Sequence, residues 1–133
     1  MAWVLALVIF HEPEYARRMT SEMRESTFWV LTALGQGRRH GYALMEDVRQ
    51  LSGRRVDIKV ATLYATLERL GHEGLIVADG DEITGGRLRR YFRLTDAGLE
   101  RLGVEVHRME AASAQARAIL ASRRTFGSSV VTQ

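Results

Sequence analysis

Hydrophobic positions recur at helical spacing from residue 26 onward. Ser26 can cap a first helix running to Leu34, on which Phe28, Leu31 and Leu34 fall three apart with Trp29 and Val30 beside them. Gly35 and Gly37 stop it. A second helix is expected over 41–51, with Leu44, Met45, Val48 and Leu51 as one buried stripe and Glu46, Asp47, Arg49 and Gln50 on the wet side. A third runs from 60 to 73: Leu63, Leu67 and Leu70 form its core face, Ala61, Ala65, Glu68 and Arg69 lie opposite, and Thr62 and Tyr64 flank them. Residues 75–78 give a short strand, 79–86 a turn region closed by Gly85 and Gly86, and 87–94 a second strand. That strand alternates Leu88, Arg90, Phe92 and Leu94 with Arg87, Arg89, Tyr91 and Arg93. Thr95 then caps a long helix whose positions Leu99, Leu102, Val106, Met109, Ser113, Ala116 and Leu120 alternate spacings of three and four. From Leu99 to Leu120 this helix covers roughly 30 Å, too far for so small a domain to cover, so the stripe is expected to meet a second copy.

The expected fold is therefore mainly α with a small β-hairpin, an α+β arrangement. Three helices, a two-stranded wing and a long helix are the plan of a winged helix-turn-helix with a C-terminal dimerisation helix. The chain divides into an apolar arm (1–25), the winged domain (26–95), the dimerisation helix (96–124) and a tail (125–133). In the arm, Trp3 to Phe10 are eight consecutive apolar residues, well short of the ~20 a bilayer span needs. No basic residue precedes them and no small-x-small site follows, so the run does not resemble a secretory signal. Three readings stand: an arm packed on the domain or a partner, a membrane-surface contact, or an upstream start with Met19 or Met23 as the natural one.

Composition narrows the chemistry. The 133 residues contain no cysteine, which excludes disulfides, thiolate metal sites and cysteine nucleophiles. His11, His40, His72 and His107 are scattered and form no metal-ligand spacing. His72–Glu73 has no second histidine at zinc-protease spacing, and no serine sits in a nucleophile elbow. The run Gly35–Gln36–Gly37–Arg38–Arg39–His40–Gly41 lacks the strand, glycine spacing and lysine of a phosphate loop and is expected to be a helix–helix turn. An enzyme, a metal site and a bound cofactor are not expected. The net charge is only +3, with a pI of about 9.8, so the position of the basic residues carries more than their number. Lys59, the only lysine, stands at the start of the third helix, and Arg87, Arg89, Arg90 and Arg93 are four cations within seven residues of the wing. Small Ala61 and Ala65 leave the outward face of the third helix slim enough for a major groove, with Thr62, Tyr64 and Arg69 as donors beside it. Asp79, Asp81 and Glu82 in the turn oppose a wing pressed against DNA.

Three stretches, HGYALMEDVRQLSG (40–53), ATLYATLERLGHEGLI (61–76) and GGRLRRYFRLTDAG (85–98), closely resemble the PadR family of transcriptional regulators. The likeness covers Ser26 to the end of the long helix, and the single C-terminal helix resembles the short subtype. It implies a bacterial winged-helix DNA-binding protein, a cytoplasmic homodimeric repressor of a pseudo-palindromic operator in double-stranded DNA. By resemblance, His40, Gly41 and Tyr42 open the second helix at the DNA backbone, Thr62 and Tyr64 lie on the recognition helix, and Gly86 and Arg87 lie in the wing. A small apolar or aromatic effector at the dimer interface is also implied, with Phe28, Trp29 and Met109 as candidate contacts. Many members have Ser-Pro where this chain has Lys59–Val60, and proline where it has Ala65. The first change gives up a cap and a first-turn proline and adds a cation. The rival readings are a winged helix used purely for protein interaction and a different winged-helix regulator family such as MarR.

Overall fold

A computed structural model describes residues 22–131, with side chains through 125. The run Trp3–Phe10 and the start-site reading at Met19 lie outside the described residues; Met23 lies inside them and packs against the core. The order is α1 (Glu25–Leu34), β1 (Arg39–His40), α2 (Gly41–Leu51), α3 (Val60–His72), β2 (Ile76–Thr84), β3 (Arg87–Leu94) and α4 (Asp96–Val131).

The first three helices meet in one core. Val30, Leu31 and Leu34 of α1, Leu44 and Val48 of α2, and Leu63, Leu67 and Leu70 of α3 are buried together, joined by Ile58, Leu75, Ile76 and Leu94. These match the stripes the spacing predicts, except that Leu51, at the end of α2, is exposed and Phe28 and Met45 are only partly buried. The cap of α1 differs. The helix begins at Glu25 with Arg24 in the cap position and no side-chain cap bond, so Ser26 lies inside the first turn. Glu25 serves that end instead, as a first-turn carboxylate in an ion pair with Arg55 at 3.0 Å.

The hairpin is one part of a three-stranded antiparallel sheet in the order β1-β3-β2. Strand β1 pairs Arg39 with Phe92 and His40 with Tyr91. Strand β2 continues to Thr84, through residues expected to form a turn. A register shift between Ala78 and Asp81, with Gly80 at φ 85°, absorbs one extra residue and lets the ladder resume at Asp81↔Arg90. Only Gly85 and Gly86 turn the chain, at φ 59° and 77°. Two central residues with positive φ match the right-handed twist of the strands they join.

The base of the wing and the start of α4 are locked together. The Thr95 hydroxyl donates to the Gly74 carbonyl at 2.6 Å and accepts from the Gly98 N–H at 3.1 Å, capping α4 as its sequence implies. Gly98 packs directly on the Leu75 carbonyl, where a side chain has no room. The helix then runs 36 residues to Val131, past residue 124 and into the segment expected as a tail. Its face toward the domain carries two charges that the apolar stripe does not foresee: Arg101 and Glu105 are buried. Glu105 accepts from Arg108 at 2.6 Å and lies 3.6 Å from Arg101. The Arg108 hydrogen bond, aided by the Arg101 charge, outweighs burial and holds the Glu105 carboxyl below its ordinary range.

Gly98→Ala is expected to lower unfolding free energy by about 2 kcal/mol in urea titration, because a methyl group there must push α4 off the Leu75 carbonyl. An unchanged midpoint would mean that this junction is slack.

Candidate nucleic-acid interface

On α3 the residues Ala61, Thr62, Tyr64 and Ala65 are exposed, with Lys59 and Val60 exposed at its start. The helix gains these outward positions because Leu63, Thr66, Leu67 and Leu70 take the core side. Lys59 occupies the N-cap position, where its ammonium, a donor without an acceptor, makes no cap bond.

Tyr64 joins this face to the start of α2. Its ring covers Gly41: a Cβ there would lie 2.8 Å from the phenol oxygen and 3.1 Å from Cζ. Gly41 is buried for that reason, while Tyr64 remains 52% and Tyr42 70% exposed. His40 caps α2, its Nδ1 accepting from the Ala43 N–H at 3.1 Å. The Arg89 guanidinium approaches the same Nδ1 at 3.4 Å and sits 5.7 Å above the Tyr42 ring. His40 also meets Tyr91 edge-on at 5.3 Å. An Nδ1 that accepts must be unprotonated, so the neutral ring carries its proton on Nε2. Loss of hydration and the Arg89 charge push the His40 pKa below its ordinary value, against the weaker opposite pull of Glu82 and Asp47.

The wing is less basic than its inner strand. Arg90 pairs with Asp81 at 3.4 Å and Arg93 with Asp79 at 3.9 Å. Arg87 and Arg90 are exposed beside the Gly85–Gly86 turn. The fold thus brings together His40, Gly41, Tyr42, Tyr64 and Arg89, with Lys59, Ala61, Thr62 and Ala65 on the adjoining helix face and Gly86, Arg87 and Arg90 further out on the wing. Arg69 departs from the expected set. It turns back toward α1, donating to the buried Thr27 hydroxyl at 2.8 Å and lying 3.5 Å from Glu73. Helical spacing places Arg69 on the outward side, but its long side chain reaches the neighbouring helix instead.

Arg38, expected only as part of a turn, is drawn into the site. Its guanidinium lies 4.0 Å from the centre of the Tyr91 ring. It donates to the Asp79 carbonyl at 2.9 Å and approaches Glu82 at 3.6 Å. The sequence signal available was the Arg38–Arg39 pair itself; what it would touch depends on strand pairing.

On α4, Leu99, Val106, Met109, Ser113, Ala116 and Leu120 are exposed, as is Ile119, whereas Leu102 is partly buried against the core. Phe28 and Trp29 meet edge-on at 5.0 Å. With Met23, Glu105, Arg108 and Met109 they line a cleft of about 670 Å³. Among the described residues no three of His, Asp and Glu are close enough to hold a metal ion, and no helix is long and apolar enough to cross a membrane.

Residues 30–104 match the model of the transcriptional regulator PadR-like family. That is more than half of the chain, and the protein belongs to this family. Solved structures agree in fold. A PadR family transcription regulator from Clostridium difficile is 22% identical, with 73% of this chain covering 99% of that one at a TM-score of 0.62. A Streptococcus transcriptional regulator is 30% identical, at 70% and 89% coverage and a TM-score of 0.59. Bacillus subtilis PadR, solved with operator DNA, is 25% identical; 65% of this chain covers 48% of it at a TM-score of 0.57. An uncharacterized protein of Lysinibacillus sphaericus is 30% identical over 69 residues, and the chain spans 63% of that protein's length.

The His40 cap has a pH consequence. The folded state holds His40 neutral below the ordinary value of 6.5, so the unfolded chain binds the proton more readily. The stability this contributes is complete above pH 6.5 and is lost as pH falls through the folded pKa. His40→Asn keeps a cap oxygen and removes the titration. Its urea midpoint is expected to stay flat over that window while the native midpoint falls; equal slopes would disprove the assigned cap.

Proposed function

We propose that this protein is a cytoplasmic, homodimeric transcriptional repressor that binds a pseudo-palindromic operator and leaves it on a signal. One observation carries the reading: a slim, polar α3 face adjoins the start of α2 and a wing arginine within one connected surface. Two such surfaces in a dimer would enter successive major grooves about 34 Å apart. Lys59, Arg87, Arg89 and Arg90, with the exposed hydroxyl of Tyr42, supply phosphate donors. Thr62 and Tyr64 reach base edges, and the small Ala61 and Ala65 allow the approach. The solved PadR–operator complex in the same family supports this assignment.

The exposure of Leu99, Val106, Met109, Ser113, Ala116 and Leu120 along a helix of about 54 Å, with Leu102 at the inner edge of the stripe, supports dimerisation through this face. Each apolar side chain so covered contributes roughly 1.5–3 kcal/mol when fully buried. The effector reading places a small apolar or aromatic compound in the cleft beside Phe28, Trp29 and Met109. Its differential binding would shift α4 against α1 and with it the spacing of the two α3 faces.

The test is binding of the full chain to duplex DNA from upstream of its own gene, across a salt series. Arg87→Ala is expected to weaken all sequences alike and to reduce the slope of log affinity against log salt by about one. Thr62→Ala is expected to spare the slope and to erode preference at one base pair by about 1–3 kcal/mol. Failure to bind any duplex even at low salt would overturn the reading and favour a protein-interaction module, for which the acids Asp79, Asp81 and Glu82 on the wing would be the natural contact.

A further inference from the structure

The wing is long relative to what fixes it. Beyond the two pairs Arg39↔Phe92 and His40↔Tyr91, β3 has only β2 as a backbone partner, and residues 81–88 are exposed on both strands. A two-stranded ribbon of this kind is marginal by itself, so beyond its anchored base its angle depends on what holds it from outside. Its angle to the helices decides whether Arg87 and Arg90 reach a phosphate backbone.

One side chain from outside the ribbon grips both strands. Arg38 precedes β1 and lies with its guanidinium 4.0 Å from the Tyr91 ring centre of β3. Its Nη1 donates to the Asp79 carbonyl of β2 at 2.9 Å, and its Nη2 lies 3.6 Å from the Glu82 carboxylate. The same Glu82 carboxylate pushes the Tyr91 pKa above its ordinary value. Asp79 falls in the register shift between Ala78 and Asp81, where the ladder is interrupted. The bulge, made by Gly80 at φ 85°, leaves room for an outside donor beside Asp79. A planar fork is needed, since one group must stack on a ring and point two donors at different oxygens; an ammonium cannot do both.

We propose that Arg38 is a positioning residue that clamps the wing at its working angle through Tyr91, Asp79 and Glu82 and makes no contact with DNA itself. The proposal rests on the DNA-binding reading above. It differs from a phosphate contact in its consequences: a clamp acts through the outer cations, whereas a contact acts beside them.

The test uses the full chain as Arg38→Met, Arg38→Lys, Arg87→Ala/Arg90→Ala and the triple variant, with the upstream duplex as probe and amide hydrogen exchange of the free protein as a second readout. Arg38→Met is expected to weaken binding about tenfold, Arg38→Lys equally, and Arg38→Met to add less than about twofold once Arg87 and Arg90 are gone. Exchange in β2 and β3 should quicken in Arg38→Met while the cores of α1, α2 and α3 stay protected. Multiplying effects in the triple variant, full affinity in Arg38→Lys, or unchanged wing exchange would each overturn the clamp. If the native protein binds no duplex, the DNA reading falls, and the exchange experiment alone still decides whether Arg38 holds the wing.

Discussion

The pairing of Arg39 and His40 with the inner wing strand is the point from which the rest of the surface is measured. The two residues add little sheet, but each also serves α2. Arg39 reaches Asp47 at 3.1 Å, and His40 gives α2 its cap. The next residue, Gly41, is the floor under Tyr64. The wing, the start of α2 and the outward face of α3 therefore share one anchor rather than three independent ones. A displacement at β1 moves all of them, because covalent neighbours and a strand pair leave little freedom between them. That is the geometric reason a small domain can hold a helix face and a ribbon in fixed relation.

How far this could be read from the sequence depended on the range of each interaction. Periodicity found the core stripes of α1, α2 and α3, since those follow from 3.6 residues per turn alone. Alternation found β3 in the same way. A two-residue strand has no period, so β1 was invisible until β3 stood beside it. Residues 79–84 look like a turn because Asp79, Gly80, Asp81 and Glu82 are poor strand formers. They extend because their carboxylates meet Arg38, Arg90 and Arg93 across the ribbon and a bulge takes up Gly80. The spacing put Arg69 on the right side of α3 but could not say that Thr27 of another helix would accept its hydrogen bond. The candidate surface was legible as a set of residues; which of them hold others in place was not.

Charge on the wing serves two purposes that pull in opposite directions. The acids of β2 help seat the ribbon, yet they cancel much of the cationic field of β3. Exposed ion pairs are worth only about 0–1 kcal/mol. On the proposed reading, a phosphate arriving at Arg90 would displace Asp81 at small cost, while the ribbon would keep its backbone ladder. Such a surface discriminates against weak, non-specific attraction more than a purely basic one would, because its long-range field is low and its close contacts stay available. The net +3 of the whole chain fits a protein that does not depend on bulk attraction.

The long helix inverts the usual arrangement of polarity. Its face toward the domain buries Arg101 and Glu105, while Leu99, Val106, Met109 and Leu120 face outward. Arg101, Glu105 and Arg108 all lie on α4, so the neutralisation of the buried carboxylate travels with the helix and sets no register against α1. It lets charge sit under the domain without being left uncompensated, a loss that costs several kcal/mol when one partner is removed. The register of α4 is set at its start, where Thr95 bonds to the Gly74 carbonyl and Gly98 packs on the Leu75 carbonyl. Any signal that moves α4 must therefore pivot the helix about this junction, because sliding would break the cap and drive the backbone of α4 into that carbonyl, and the outward stripe is left to whatever covers it.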